Sequence, residues 1–326
     1  MIKKTINKQK DTKFLYYGEL FTAIRSKVSP YYANTRRNPL WLLMFLIGRF
    51  QIVRSLVTWI SKRSRAENDC LSSSSFPELK VDDVVSCLKQ DGIYLGLRLP
   101  KQFLQELLNF ANSNHCYGDG NYSCGFLYAE KDTAIQQYGK PFVRGEYYNT
   151  AVLCPAIKKL ANDPKLLEIA TKYLGKTPVF TSSRLHWIFT VPEAGYDFNK
   201  GAMNFHYDLM DYCSLRFFFY LTDVDLLSGP HICFRGSHKR KKFNYLLSLS
   251  RRQSEAELLD YYGFQKSLTV CGSAGFGFAE DPFCFHKAVP PISQDRLLLQ
   301  IQFALYDYGD QTVFVNPALL ERCLPS

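Results

Sequence analysis

From residue 178 onward the chain changes texture, and that change limits the folds open to it. VFTSSRLHWIFTV, SLRFFFYLTDV, HICFRG, SLTV, AGFGFA and RLLLQIQFALYDY are short strand-like runs broken by Gly and Pro. Helix-like segments precede them. VDDVVSCLKQDG reads as a helix ending at Gly92, and IYLGLRL as a strand. Pro100 opens a second helix, KQFLQELLNFANSN. Residues 115–150, rich in Gly, Tyr and Asn, read as loops, and CPAIKKLANDPKLLEIATKYLG as two short helices with Asp163-Pro164 at the break and Gly175 as C-cap. Helices first and strands after predict a mainly β fold with flanking helices, a sheet or barrel and not a βαβ alternation. There is no internal repeat, no P-loop and no GxGxxG after a strand.

The charge is unevenly placed. The net charge is +10, yet residues 1–66 alone hold 14 Lys and Arg against 2 Asp and Glu. The basic character therefore belongs to an N-terminal segment, as expected of an arm that meets an anionic surface. Within it, PLWLLMFLIGRFQIVRSLVTWISKRSR predicts an amphipathic helix over about 40–62. Gln51, Arg54, Ser55, Thr58 and Ser61 fall on one face, and Ile52, Val53, Leu56, Val57, Trp59 and Ile60 on the other. Arg49, Gln51 and Arg54 interrupt the run, and each mid-membrane Arg costs about 2.5–3.5 kcal/mol, which argues against a span. Two placements stay open. One packs the helix on the body with its basic face in water. The other lays it in the plane of an anionic membrane, apolar side down. The stretch ENDCLSSSSFPE reads as a linker, dividing a basic extension, 1–75, from a body, 76–326. Ten Cys without a CxxC pair imply reduced, mostly buried thiols in a cytoplasmic protein, with peripheral membrane association the added expectation. No nucleic-acid partner is expected, because the body lacks a basic-aromatic platform.

The chemistry centres on NFHYDLMDYC, residues 204–213. In extended chain His206 and Asp208 point to the same side and can share one metal. A facial triad for non-haem Fe(II) needs a further His from elsewhere and leaves positions open for substrate and oxygen. The pair alone is a weak signal, but an ordered set follows it: LTDVDLLSGP, then CFRGSHK, then FHKAVPPISQDRLLLQIQFA, with His286 and, ten residues on, Arg296.

This set resembles the phytanoyl-CoA dioxygenase family of Fe(II)/2-oxoglutarate-dependent oxygenases. The resemblance covers about residues 78–308 and includes LKQDGIYLGLRLP and NDPKLLEIATKYLG upstream. It implies a double-stranded β-helix, a cupin-like jelly-roll barrel. It implies that His206, Asp208 and His286 bind Fe(II), and that Arg296 grips the distal carboxylate of 2-oxoglutarate, a task that suits a planar, always-charged guanidinium. The implied activity is an O2-dependent hydroxylation of an unactivated C–H bond in a small-molecule or lipid-like substrate; Asp208, a carboxylate where a halogenase would have Gly or Ala, argues against halogenation. Two positions depart from the family's pattern: Arg235 stands where many relatives have Pro, and Leu298 where a small hydroxyl residue is frequent. The alternatives are a cupin-like metal enzyme that does not use 2-oxoglutarate, and a non-catalytic membrane-associated binding module.

Among the other histidines, His238 is expected to serve the GSH turn and His231 a strand. His186 shares a strand face with Arg184, and either could touch co-substrate or substrate if that face lines the barrel. Trp187, Phe205, Tyr207 and Phe285 read as barrel packing, and Lys239–Lys242 as a solvated face. The 115–150 region is expected to shape the substrate pocket.

Overall fold

The computed structural model describes residues 31–61, 73–191, 203–309 and 314–323. The chain divides into two units, Met1–Ile47 and Gly48–Ser326. In the first, helix α1 (Pro39–Ile47) starts on a proline, whose missing N–H costs nothing in a first turn. Trp41 stacks on Phe45 one turn later. The second unit begins at Gly48, and α2 (Gln51–Ser61) follows. The one helix expected over 40–62 is thus two, and among the described residues no helix is long and apolar enough to cross a membrane. Residues 62–72, with the first half of the expected linker, lie outside the described residues.

The helices of the body are α3 (Val81–Asp91), α4 (Lys101–Ser113), α5 (Lys131–Tyr138), α6 (Thr150–Leu153), α7 (Pro155–Ala161), α8 (Pro164–Leu174), α9 (Phe243–Leu247) and α10 (Glu255–Tyr262). The strands are β1 (Ile93–Arg98), β2 (Cys116–Gly118), β3 (Gly125–Phe126), β4 (Arg144–Tyr147), β5 (Val179–Ile188), β6 (Ser214–Tyr220), β7 (His231–Phe234), β8 (Ser267–Val270), β9 (Phe276–Glu280), β10 (His286–Ala288) and β11 (Arg296–Ala304). Helix boundaries follow the local chemistry. Asp163 caps α8 by accepting from the Lys165 and Leu166 N–H groups. Gly92 closes α3 in the left-handed region, φ 76°, and a Cβ there would meet Cys284 Sγ and His238 Nδ1, so no other residue fits.

One sheet runs β1-β9-β6-β11-β5-β4-β2-β3 and the other β10-β7-β8, with antiparallel pairing throughout. Residue 206 extends the smaller sheet by an antiparallel bridge to His286. Successive segments then alternate between sheets: β5 in the large, 206 in the small, β6 large, β7 and β8 small, β9 large, β10 small, β11 large. That order is a double-stranded β-helix, the jelly roll. Long β11 is its central staple, pairing with β5 from Arg296↔Ile188 to Ala304↔Val179 and with β6 from Leu298↔Tyr220 to Ala304↔Ser214. Phe218, Tyr220, Phe278, Leu298, Val270 and Cys233 fill a core between the sheets. The 115–150 region, expected as loops, instead carries β2, β3, β4 and α5. Its strands hold only two to four residues, too few to show a period of two.

Helix α2 packs in the reverse of the first expected placement. Its buried residues are Arg54 and Ser61, and Ile52 is 83% exposed. Arg54 goes inward because Asp281 lies beneath: Nη2 is 3.3 Å from Asp281 Oδ2, and the guanidinium lies 3.9 Å from the Phe283 ring centre. Asp281 also accepts from Tyr173 OH at 2.7 Å and from the Phe283 N–H at 2.9 Å. Removing one partner of such a buried pair strands the other charge. Arg54→Ala is therefore expected to cost about 3–5 kcal/mol in urea denaturation; a change within about 0.5 kcal/mol would place Arg54 in solvent.

Candidate metal centre

His206 and His286 face each other across a two-residue bridge. The His206 N–H donates to His286 O at 3.0 Å, and the His286 N–H to His206 O at 2.8 Å. Their rings lie 4.5 Å apart. Asp208 is fixed by its N–H to Pro282 O, 2.8 Å. One donor atom from each of His206, Asp208 and His286 lies within 4.8 Å of the others. His206 Nε2 is 3.8 Å from Asp208 Oδ1, and His286 Nε2 is 3.8 Å from Oδ2. The three residues that the motif order singled out are thus brought together.

The imidazole orientation is set by the backbone. His206 Nδ1 lies 2.8 Å from Asn204 O, and His286 Nδ1 lies 2.9 Å from Cys284 O. Each Nδ1 must donate to its carbonyl, which leaves the Nε2 lone pairs facing Asp208. That is the tautomer a divalent metal requires. Burial pushes His286 down to about 4, outweighing the upward pull of Glu280, so its imidazole is neutral at pH 7. Burial works against an ionised Asp208, but the charge of Arg216 holds its carboxyl well below the usual carboxylate range. Two imidazoles and one carboxylate fit a divalent cation with open coordination positions.

Arg216 escaped the sequence reading. It lies on β6 in register with Gln302 of β11 and Glu280 of β9. Its Nη1 donates to Asp208 Oδ2 at 2.6 Å and its Nε to Gln302 Oε1 at 2.5 Å; Gln302 Nε2 donates in turn to Thr181 Oγ1 at 3.0 Å. The signal was a lone Arg inside the apolar run SLRFFFY, eight residues after Asp208. The GSH turn also supports the site. Gly236 takes φ 77°, and Ser237 Oγ donates to Phe234 O and accepts from the Phe285 N–H, 2.6 and 2.8 Å. That anchors the residue before His286. His238 is buried beside Cys284 Sγ at 3.6 Å, in the structural place expected.

A second buried group backs the centre. His231 stacks on His286, ring centres 5.4 Å apart, and its Nε2 lies 3.0 Å from Glu280 Oε2. Burial pushes Glu280 up to about 7 and His231 down to about 3. Burial thus disfavours the charged form of both members of the pair. Arg296 begins β11 at 2% exposure, its guanidinium carbon 6.0 Å from the Tyr220 ring centre. Its charge reaches both walls: after burial, it is among the causes that lower His186, to about 3, and His231. His186 pairs in register with Leu298 and Glu146. Arg184 bonds Glu146 at 2.6 Å, with Arg144 at 3.3 Å. Leu298 is packed between Tyr220 and His186 and offers no hydroxyl.

Trp187 stacks on Tyr128 at 3.9 Å, and Tyr207 sits between Phe283 and Phe285, as packing residues should. The solvated face expected at 239–242 holds only in part. Lys241 turns inward, donates to Ser237 O and Phe283 O, and lies 4.1 Å from the Phe285 ring centre. Burial pushes it down to about 7. Two carbonyls and an aromatic face replace the water it gives up.

No family model matches the chain, and no curated protein matches it. Solved structures similar to it include the epimerase SnoN in complex with Fe3+, alpha ketoglutarate and nogalamycin RO, at 14% identity and TM-score 0.49, over 75% of this chain and 93% of that one. Another is EctD from S. alaskensis with 2-oxoglutarate and 5-hydroxyectoine, at 15% and 0.47, over 74% and 79%. A further one is HygX from Streptomyces hygroscopicus with nickel, 2-oxoglutarate and hygromycin B, at 13% and 0.47, over 69% and 88%. Likenesses this distant do not decide what this chain does; its own site has to.

If Arg216 holds the Asp208 carboxylate in place, Arg216→Met should weaken metal binding about ten- to a hundredfold in anaerobic calorimetry, and Asp208→Ala should abolish it. Unchanged affinity in Arg216→Met would remove Arg216 from the site.

Proposed function

We propose that this protein is an Fe(II)- and 2-oxoglutarate-dependent dioxygenase of the phytanoyl-CoA dioxygenase kind, hydroxylating an unactivated C–H bond of a small-molecule or lipid-like substrate. Residues 76–326 would form the catalytic domain and residues 1–75 a basic extension. The observation that carries the reading is the pair of Nε2 atoms and the carboxylate of His206, His286 and Asp208 converging with both imidazoles locked in the ligating tautomer. In this reading those three side chains hold Fe(II), and Arg296 pairs with the distal carboxylate of 2-oxoglutarate. Fe(II) held there would couple 2-oxoglutarate and O2 to C–H hydroxylation, with one oxygen atom going to the product and the other to succinate as CO2 leaves.

The chain's own residues do the rest. Asp208, kept ionised by Arg216, supplies one negative charge to a divalent cation. Arg296, buried at the barrel wall, supplies a guanidinium that no pH change within the working range can discharge. The buried His231–Glu280 pair and the packed rings of Phe218 and Phe278 keep water from the rear of the site. Peripheral association with an anionic membrane through the basic N-terminal segment would place a cytoplasmic enzyme beside apolar substrates. The test is succinate release from 2-oxoglutarate with Fe(II), across small-molecule and lipid substrates. Asp208→Ala should release none while keeping the wild-type circular-dichroism spectrum of a folded β protein. Arg296→Met should raise the 2-oxoglutarate KM by about a hundredfold, the loss of a charge-assisted pair worth ~3 kcal/mol. An unchanged KM would exclude 2-oxoglutarate as the partner of Arg296.

A further inference from the structure

We infer that α2 and the chain around α9 form a docking surface for an anionic lipid bilayer. The starting observation is the inverted helix. Because Arg54 and Ser61 point into the body, the apolar side of α2 points out: Ile52 is 83% exposed, Leu56 52% and Ile60 54%. Left in water these side chains have no reason to be large and apolar, and contiguous exposed groups of this kind mark interaction sites.

A second apolar group adjoins them. Phe243, Leu247 and Leu249, on and just after α9, are 66%, 56% and 60% exposed. The two elements are tied at the start of α2. Arg49 Nη1 donates to Leu246 O at 2.9 Å, and the Phe50 and Phe243 rings lie 6.4 Å apart. The surface is thus made of two elements held in one register, not a loose arm.

The charges around it identify the occupant. Lys239, Arg240 and Arg252, which flank α9 in the chain, are exposed, and Lys62, Arg63 and Arg65 follow α2 in the sequence. The acidic residues of α10 are engaged elsewhere: Glu255 by Lys287 at 2.6 Å, Glu257 in the Ser254 capping box, and Asp260 by Lys242 at 3.9 Å. Exposed apolar side chains with exposed cations on the chain that flanks α9 match a bilayer, which offers hydrocarbon beneath anionic head groups on one face. A second copy of this chain offers the opposite: its own cations would face these. An eleven-residue helix is also too short to cross, so it lies in the interface plane. This surface does not depend on the chemistry proposed for the metal centre.

The test uses the full chain and sedimentation with vesicles of phosphatidylcholine, alone or mixed with phosphatidylserine. The wild-type protein should sediment with the mixed vesicles and not with phosphatidylcholine alone. The double variant Ile52→Ser/Leu56→Ser and the single variant Leu247→Ser change exposed side chains and should melt as the wild type does. Each should lower the partition coefficient about tenfold or more, as should Lys239→Glu/Arg240→Glu. Binding unaltered in all three variants would mean that the N-terminal arm alone meets the lipid, and would overturn the proposal. So would a wild type that ignores anionic vesicles and instead self-associates with rising concentration.

Discussion

The site depends on two backbone hydrogen bonds, the reciprocal pair between residues 206 and 286. They join a segment that has no regular strand of its own to the edge of a three-stranded sheet. In doing so they bring together two histidines that are 80 residues apart in sequence. Asp208 follows through its own N–H to Pro282, and the Nδ1 contacts to Asn204 and Cys284 then aim both rings. Backbone geometry, more than side-chain contact, sets the donor positions. A site built on paired strands in this way is held more firmly than one carried by a free loop.

Charge balance is the second constraint. The barrel buries Arg216 beside Asp208, Arg54 beside Asp281, and Arg296 at the start of β11. Close to these cations, buried imidazoles are held neutral: His186, His231 and His286 are all pushed down. Glu280 is pushed the other way, up to about 7, again by burial. The interior therefore keeps few formal charges, each with a stated partner or a stated task, which limits the desolvation cost of a polar centre in an apolar barrel.

Much of this was legible beforehand, and what was not has physical causes. His206, Asp208, His286 and Arg296 could be picked out because their order along the chain resembles the pattern of a known family; the His-x-Asp pair alone is a weak signal. The strands β5, β6, β9 and β11 announced themselves by length and apolarity, whereas the three-residue β10 did not. Arg216 was overlooked because its partner, Asp208, is in contact only once the chain has turned back into β6. The strands β2, β3 and β4 are too short for any periodicity to show. Helix α2 was read correctly as two-faced, but amphipathicity says only that the faces differ. Which one turns inward was decided by Asp281, more than two hundred residues away. The same applies to Lys241, drawn inward from a basic run by two carbonyls and an aromatic ring.

The central claim is that His206, Asp208 and His286 hold Fe(II) with room for a chelating keto acid, and that Arg296 receives its far end. Anaerobic titration of the purified protein with Fe(II) and then 2-oxoglutarate, followed in the visible, tests it most directly. The account predicts a weak metal-to-ligand charge-transfer band that appears only when both are present and is lost in Arg296→Ala. Fe(II) bound by the triad with no such band at saturating 2-oxoglutarate would contradict it, and would leave a metal-binding barrel whose chemistry does not involve that co-substrate.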